Sequence, residues 1–187
     1  HLTEAVTTIP ASNYFDPERW QREVDMIFKR VPLLLAMTAE IKEVNTYKAI
    51  DVVGMPVLIS RGADGIARAF VNMCSHRGAQ LVDPGVGTAR RFACPYHNWT
   101  YNQEGDLVGV FKQDDFGQLD TSCLGLTQLP IAERAGLIWV TLSPDSKLDF
   151  DAFFAGYDEM LEFCDFASMN HFGTRILAGP NWKISFD

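Results

Sequence analysis

Basic residues are in short supply in this chain. Its 16 Lys and Arg stand against 24 Asp and Glu, a net charge of −8, and no block of like charge interrupts it. Neither nucleic acid nor an anionic membrane is a natural partner for such a charge balance. Long apolar runs are missing too. The longest, residues 31–37, contains Pro32 and is far too short to span a bilayer. No basic segment followed by an apolar one opens the sequence, so secretion is not indicated and a cytoplasmic protein is expected. There is no internal repeat or low-complexity tract. Cysteine is scarce, four in 187 residues, which fits a reducing compartment rather than a disulfide scaffold. With 47% apolar and 21% charged residues, the chain has the composition of a globular protein with a sizeable core.

What is present is concentrated in residues 74–101, CSHRGAQLVDPGVGTARRFACPYHNWTY. Two short sulfur/imidazole pairs, Cys74-x-His76 and Cys94-x-x-His97, are separated by 17 residues. Each sits where the chain must turn, the first running into Arg77-Gly78, the second containing Pro95 and ending at Asn98. Two thiolates and two neutral imidazoles can complete the outer positions of a two-iron, two-sulfide cluster, both Cys on one iron and both His on the other. The rival is a structural zinc of Cys2His2 type, whose pairs are usually Cys with Cys and His with His. Here each pair mixes the two, as a cluster served by both loops requires. Cys123 and Cys164 stand alone and are expected to be small buried hydrophobes.

CSHRG followed by CPYHNWTY resembles the Rieske segment of ring-hydroxylating oxygenase alpha subunits, C-x-H-R-G…C-x-x-H-x-W-x-[YF]. The respiratory Rieske proteins carry an additional Cys in each loop, forming a disulfide; Arg77, Gly78, Pro95 and Tyr96 occupy this region here, so that bridge cannot form. The family usually has Gly after the second His, where this chain has Asn98. Asn is the non-Gly residue that best tolerates a left-handed backbone, so the turn is expected to survive. The resemblance implies a Rieske 2Fe–2S cluster held by Cys74, His76, Cys94 and His97. Trp99 and Tyr101 are expected to wall it from water, and Arg77 to pair with a carboxylate and stiffen the first loop.

Around this centre the sequence reads as α+β, mainly antiparallel β: a Rieske-type β-sandwich or barrel flanked by helices. Asp16-Pro17-Glu18 opens a helix with Trp20, Val24, Ile27 and Phe28 on one core-packing face. From about 43 the pattern turns to strands, with a break at Gly54-Met55-Pro56 and a hairpin at residues 61–65 that returns toward Cys74. Gly85 and Gly87 read as turn residues, Phe92-Ala93 as a short strand, residues 100–110 as a hairpin and 136–142 as a buried strand. A helix capped by Asp149 or Asp151 carries Phe150, Phe153, Phe154, Tyr157, Met160 and Leu161 as an aromatic core stripe, and two strand-like pieces follow, joined at Gly179-Pro180. The expected division is 1–37 as arm and helix, 38–148 as the Rieske domain, and 149–187 as a connecting helix with the first strands of a catalytic domain.

Asn181-Trp182-Lys183 is similar to the opening of the family's catalytic domain. Of four His, two belong to the cluster and one is residue 1, so a facial triad of mononuclear non-haem iron cannot be built here, and no catalytic residue is expected within the chain. The resemblance implies a full-length oxygenase. In it, electrons pass from NAD(P)H through a reductase or ferredoxin to this cluster, then to a non-haem iron that oxygenates an aromatic or similar organic substrate, in a homotrimer or an α3β3 assembly. The alternative is a stand-alone Rieske ferredoxin-like carrier without catalysis.

Overall fold

The computed structural model describes residues 9–185. Asp16 caps the first substantial helix as its sequence requires: Oδ1 accepts the backbone N–H of Glu18 at 2.9 Å and of Arg19 at 3.4 Å, and Pro17 takes the first helical position. A short α1 (Ser12–Phe15) precedes α2 (Pro17–Glu23), which loosens into a π turn over Val24–Phe28. Only part of the expected apolar face is covered. Val24 is buried, whereas Trp20 and Ile27 remain exposed and Trp20 leans on Phe28 at 5.6 Å between ring centres.

Eleven strands among the described residues form three antiparallel sheets. The largest has the order β5 (Gly85–Thr88), β2 (Thr46–Val52), β3 (Met55–Arg61), β4 (Ala67–Val71), β9 (Gln128–Leu129). The second is β1 (Leu33–Met37), β11 (Leu137–Val140), β10 (Ile131–Arg134); the third and smallest is β6 (Phe92–Ala93), β7 (Thr100–Tyr101), β8 (Leu107–Gly109). The central strand β3 is covered on both faces, and its alternation divides the interior. Val57 and Ile59 point into a core shared with the second sheet (Leu35, Ile138, Val140, Leu142), while Leu58 points with Phe70 into a core containing Cys74, Phe92, Cys94, Trp99 and Tyr101. The site residues are therefore part of a packed interior. Arg61 at the end of β3 ties the sheets together: its guanidinium pairs with Glu133 at 2.7 Å and donates to the Ile41 carbonyl at 2.7 Å. Burial pushes the Glu133 carboxyl up, but the bonds from Arg61 and Thr38 outweigh it and hold the group below its ordinary value.

Four sequence expectations need correction. Gly85 and Gly87 lie in a strand, because β5 passes so close to Tyr47 of β2 that a Cβ on Gly87 would stand 2.7 Å from the phenol ring. The aromatic helix is broken at Ala155 and Gly156, both at positive φ (48° and 87°), into α3 (Phe150–Phe154) and α4 (Tyr157–Glu162). Of its apolar stripe only Phe154 is buried, against Trp139 at 5.2 Å, while Phe153, Tyr157 and Met160 are exposed. The segment around Gly179-Pro180 forms no strand among the described residues. Asn181 instead donates to the Tyr14 backbone carbonyl at 2.9 Å and Lys183 to the Glu23 carboxylate at 2.7 Å, so this segment is tied to the first helices. Cys123 and Cys164 are exposed, the first at the end of the helical turn Thr121–Cys123 and the second in the turn after α4.

Candidate metal centre

Both sulfur/imidazole pairs sit in loops of one design. After β4, the Cys74 N–H donates to the Ala79 carbonyl at 2.8 Å and the Gly78 N–H returns to the Cys74 carbonyl at 2.9 Å. Between β6 and β7, the Cys94 N–H donates to the Trp99 carbonyl at 2.8 Å and the Asn98 N–H returns to the Cys94 carbonyl at 2.9 Å. Gly78 (φ 69°) and Asn98 (φ 60°) take the left-handed position that closes each loop. The Asn in place of Gly thus costs the turn nothing in geometry.

The two loops bring four candidate ligands together. Cys74 and Cys94 are buried, each 3% exposed, and the half-buried imidazoles of His76 and His97 lie 4.7 Å apart between ring centres. Each imidazole has an Nδ1 that is buried without a hydrogen-bond partner among the described residues. Buried polar atoms are nearly always partnered, so two neighbouring imidazoles with the same nitrogen turned inward fit a ligand set. Among the described residues, no three His, Cys, Asp or Glu side chains are grouped as a single-ion site. Soft thiols and imidazoles in two pairs are the donor set of a 2Fe–2S centre of mixed ligation.

Around the ligands the packing is aromatic. Trp99, 3% exposed, stacks on His76 with ring centres 4.7 Å apart and planes at 11°. Phe116, from the turn Gln113–Phe116, meets the edges of His76 at 5.6 Å and Trp99 at 5.8 Å, and the exposed Tyr96 lies 3.7 Å from His97. Burial first, and the neighbouring His97 and Arg77 after it, push the His76 imidazole toward its neutral form. Tyr101 is fully buried with its hydroxyl 3.2 Å from Cys74 Sγ. Burial and that sulfur raise the phenol to about 12 against the opposing bonds from Ser75, so it keeps its proton. Arg77 is exposed and makes no ion pair among the described residues, so the expected pairing with a carboxylate is not found there.

Sequence reasoning missed three participants. Ser75, Phe116 and Leu124 come to the centre through contacts spanning tens of residues, and their residue types carry no ligand signature. Beside His97 an open cleft of about 550 Å³ is lined by Tyr96, Phe111, Lys112, Asp115 and Phe116 among others.

Residues 32–123 match the family model of the Rieske 2Fe–2S domain. The chain carries a Rieske domain. It is 30% identical over 185 residues to the carnitine monooxygenase oxygenase subunit of Escherichia coli (strain K12), covering 96% of this chain and 49% of that one. It is 32% identical over 196 residues to the large oxygenase component of the 2,4-dinitrotoluene dioxygenase system of Burkholderia sp. (strain RASC), covering 98% and 42%. Among solved structures, naphthalene 1,2-dioxygenase from Rhodococcus sp. superposes with a TM-score of 0.77 at 32% identity, over 84% of this chain and 36% of that one. The chain thus spans half or less of the length of these relatives, and the Rieske domain is the part whose chemistry its own residues carry. The mainly antiparallel fold agrees with theirs. No helix among the described residues is long and apolar enough to cross a membrane.

Proposed function

We propose that Cys74 and Cys94 hold one iron of the Rieske cluster and that His76 and His97 hold the other through Nδ1. The observation that supports this is the pair of buried, unpartnered Nδ1 atoms beside two buried thiols, presented by two loops of the same hydrogen-bonded design. When bound, the cluster supplies one-electron transfer, and imidazole ligation places its potential in a range of roughly −150 to +300 mV. The chain's own residues set its surroundings. Trp99 and Phe116 exclude water from one side of His76, Tyr101 keeps a proton beside Cys74, and the half-exposed imidazoles are the thinnest wall between centre and solvent. Electrons enter and leave by that histidine edge.

In the whole protein this domain relays electrons from a reductase or ferredoxin, fed by NAD(P)H, to a mononuclear non-haem iron in a catalytic domain. The protein is an oxidoreductase, the large subunit of a multimeric oxygenase, as a homotrimer or α3β3, working in the cytoplasm. Its substrate is aromatic or a similar organic compound. Likeness over 96% of the chain to a carnitine monooxygenase subunit favours a second reading, a quaternary ammonium.

The test is low-temperature EPR of the dithionite-reduced protein with iron and acid-labile sulfide assays. A rhombic signal of mixed imidazole/thiolate ligation with equal iron and sulfide is expected. Zinc, or iron without sulfide, would overturn the reading.

A further inference from the structure

One hydrogen-bond cluster beside Cys74 has more acceptors than protons. The Ser75 N–H donates to the Tyr101 hydroxyl oxygen at 3.1 Å, so that oxygen is already an acceptor. The Ser75 hydroxyl spends its one proton on the Leu124 carbonyl at 2.6 Å. Its oxygen, 2.9 Å from the Tyr101 hydroxyl, can then only accept from it. The Tyr101 hydroxyl also lies 3.2 Å from Cys74 Sγ, which as a metal-bound thiolate can only accept. One phenolic proton therefore faces two acceptors, Ser75 Oγ and Cys74 Sγ.

We propose that Ser75, held by the Leu124 carbonyl, is a positioning residue that draws the Tyr101 proton away from the Cys74 sulfur and so sets the cluster's reduction potential below the value Tyr101 alone would give. The proposal rests on the Rieske reading above. Its physical basis is charge: the reduced centre is the more negative state, so a hydrogen bond to a ligating sulfur favours reduction and raises the potential. Dividing that bond with a competing oxygen weakens the effect. Leu124 follows directly on the turn Thr121–Cys123, so a carbonyl 27 residues beyond His97 determines which way a proton beside Cys74 points.

The experiment is a redox titration of the iron-loaded protein, followed by EPR, for wild type, S75A, S75T, Y101F and S75A/Y101F. Iron and labile sulfide are measured on each. S75A releases the phenolic proton to the thiolate, and its potential rises by up to about 59 mV, a tenfold change in the one-electron equilibrium. Y101F lowers the potential, S75T, which keeps the hydroxyl, stays at the wild-type value, and S75A adds no shift once Tyr101 is Phe. S75G carries the same expectation as S75A and replaces it if the Ala variant assembles poorly. An unchanged or lowered potential in a fully loaded S75A, the same shift in the Y101F background, or no effect of Y101F would each overturn the role of Ser75 while leaving the Rieske reading intact. Wild-type protein without labile sulfide would overturn both.

Discussion

Gly78 and Asn98 hold equivalent places in the two ligand loops, each four residues after a cysteine, at φ 69° and 60°, and each donating its N–H to that cysteine's carbonyl at 2.9 Å. A left-handed backbone costs an ordinary L-residue about 1–2 kcal/mol, and Asn less. N98G is therefore expected to hold the cluster as wild type does and to be slightly more stable. N98V, with a β-branched side chain in the same conformation, should lose about 1–2 kcal/mol in urea unfolding and load less iron. Equal stability of N98V and N98G would show that the turn does not constrain the loop.

Trp99 works through its ring rather than its N–H. The indole is buried, stacks on His76 at 4.7 Å, and its Nε1 has no hydrogen-bond partner among the described residues. W99F keeps an aromatic face while removing an unpaired donor, and should cost about 1 kcal/mol or less. W99A opens a cavity beside the imidazole and should cost about 3–5 kcal/mol. Thermal unfolding checks both, and W99A should also lose the visible absorbance of the cluster faster in air.

Much of this centre could be read from local spacing, because each loop is made by consecutive residues. Cys74 to Gly78 and Cys94 to Asn98 close on themselves, and hairpins such as residues 61–65 announce themselves by glycine and Asp64. What escaped the sequence depends on contacts far apart along the chain. Gly85 and Gly87 look like turn residues until β2 is known to pair alongside them, with Tyr47 against Gly87. Ser75 looks like a spacer until Leu124 and Tyr101 reach it. The aromatic stripe from Phe150 to Leu161 keeps helical spacing, yet its backbone breaks at Ala155-Gly156, and neither residue type demands that break. For Cys123 and Cys164 the average behaviour of free cysteine predicts burial, and it says nothing of a turn at the surface.

That exposure makes the four thiols distinguishable. Cys123 and Cys164 are open to solvent while Cys74 and Cys94 are buried at the proposed centre. Brief treatment of the iron-loaded protein with iodoacetamide should add two carboxamidomethyl groups by intact mass, on Cys123 and Cys164. Acid removal of the metal followed by denaturation should allow four. Labelling of Cys74 or Cys94 in the loaded protein would contradict their assignment as ligands.

Glu23 anchors the segment Asn181-Trp182-Lys183 to the first helices. Its carboxylate accepts both contacts of the Lys183 ammonium at 2.7 and 2.8 Å, the Trp182 indole N–H at 3.0 Å and the Arg19 Nε–H at 3.1 Å. The Lys183 bond is the largest influence, burial opposes it, and Trp182 and Arg19 add to it, so the group titrates below its ordinary value of 4.5. A carboxyl depressed by folding stabilises the native state fully above that ordinary value, and the contribution fades as pH falls through the folded value. E23Q is therefore expected to be less stable than wild type at pH 7 by about 1–2 kcal/mol, with the gap closing as the pH drops below 4.5. Urea unfolding followed by tryptophan fluorescence measures it, since Trp182 is one of the reporters. A gap that persists unchanged at low pH would mean that Glu23 acts by shape alone, and that charge does not hold this segment in place.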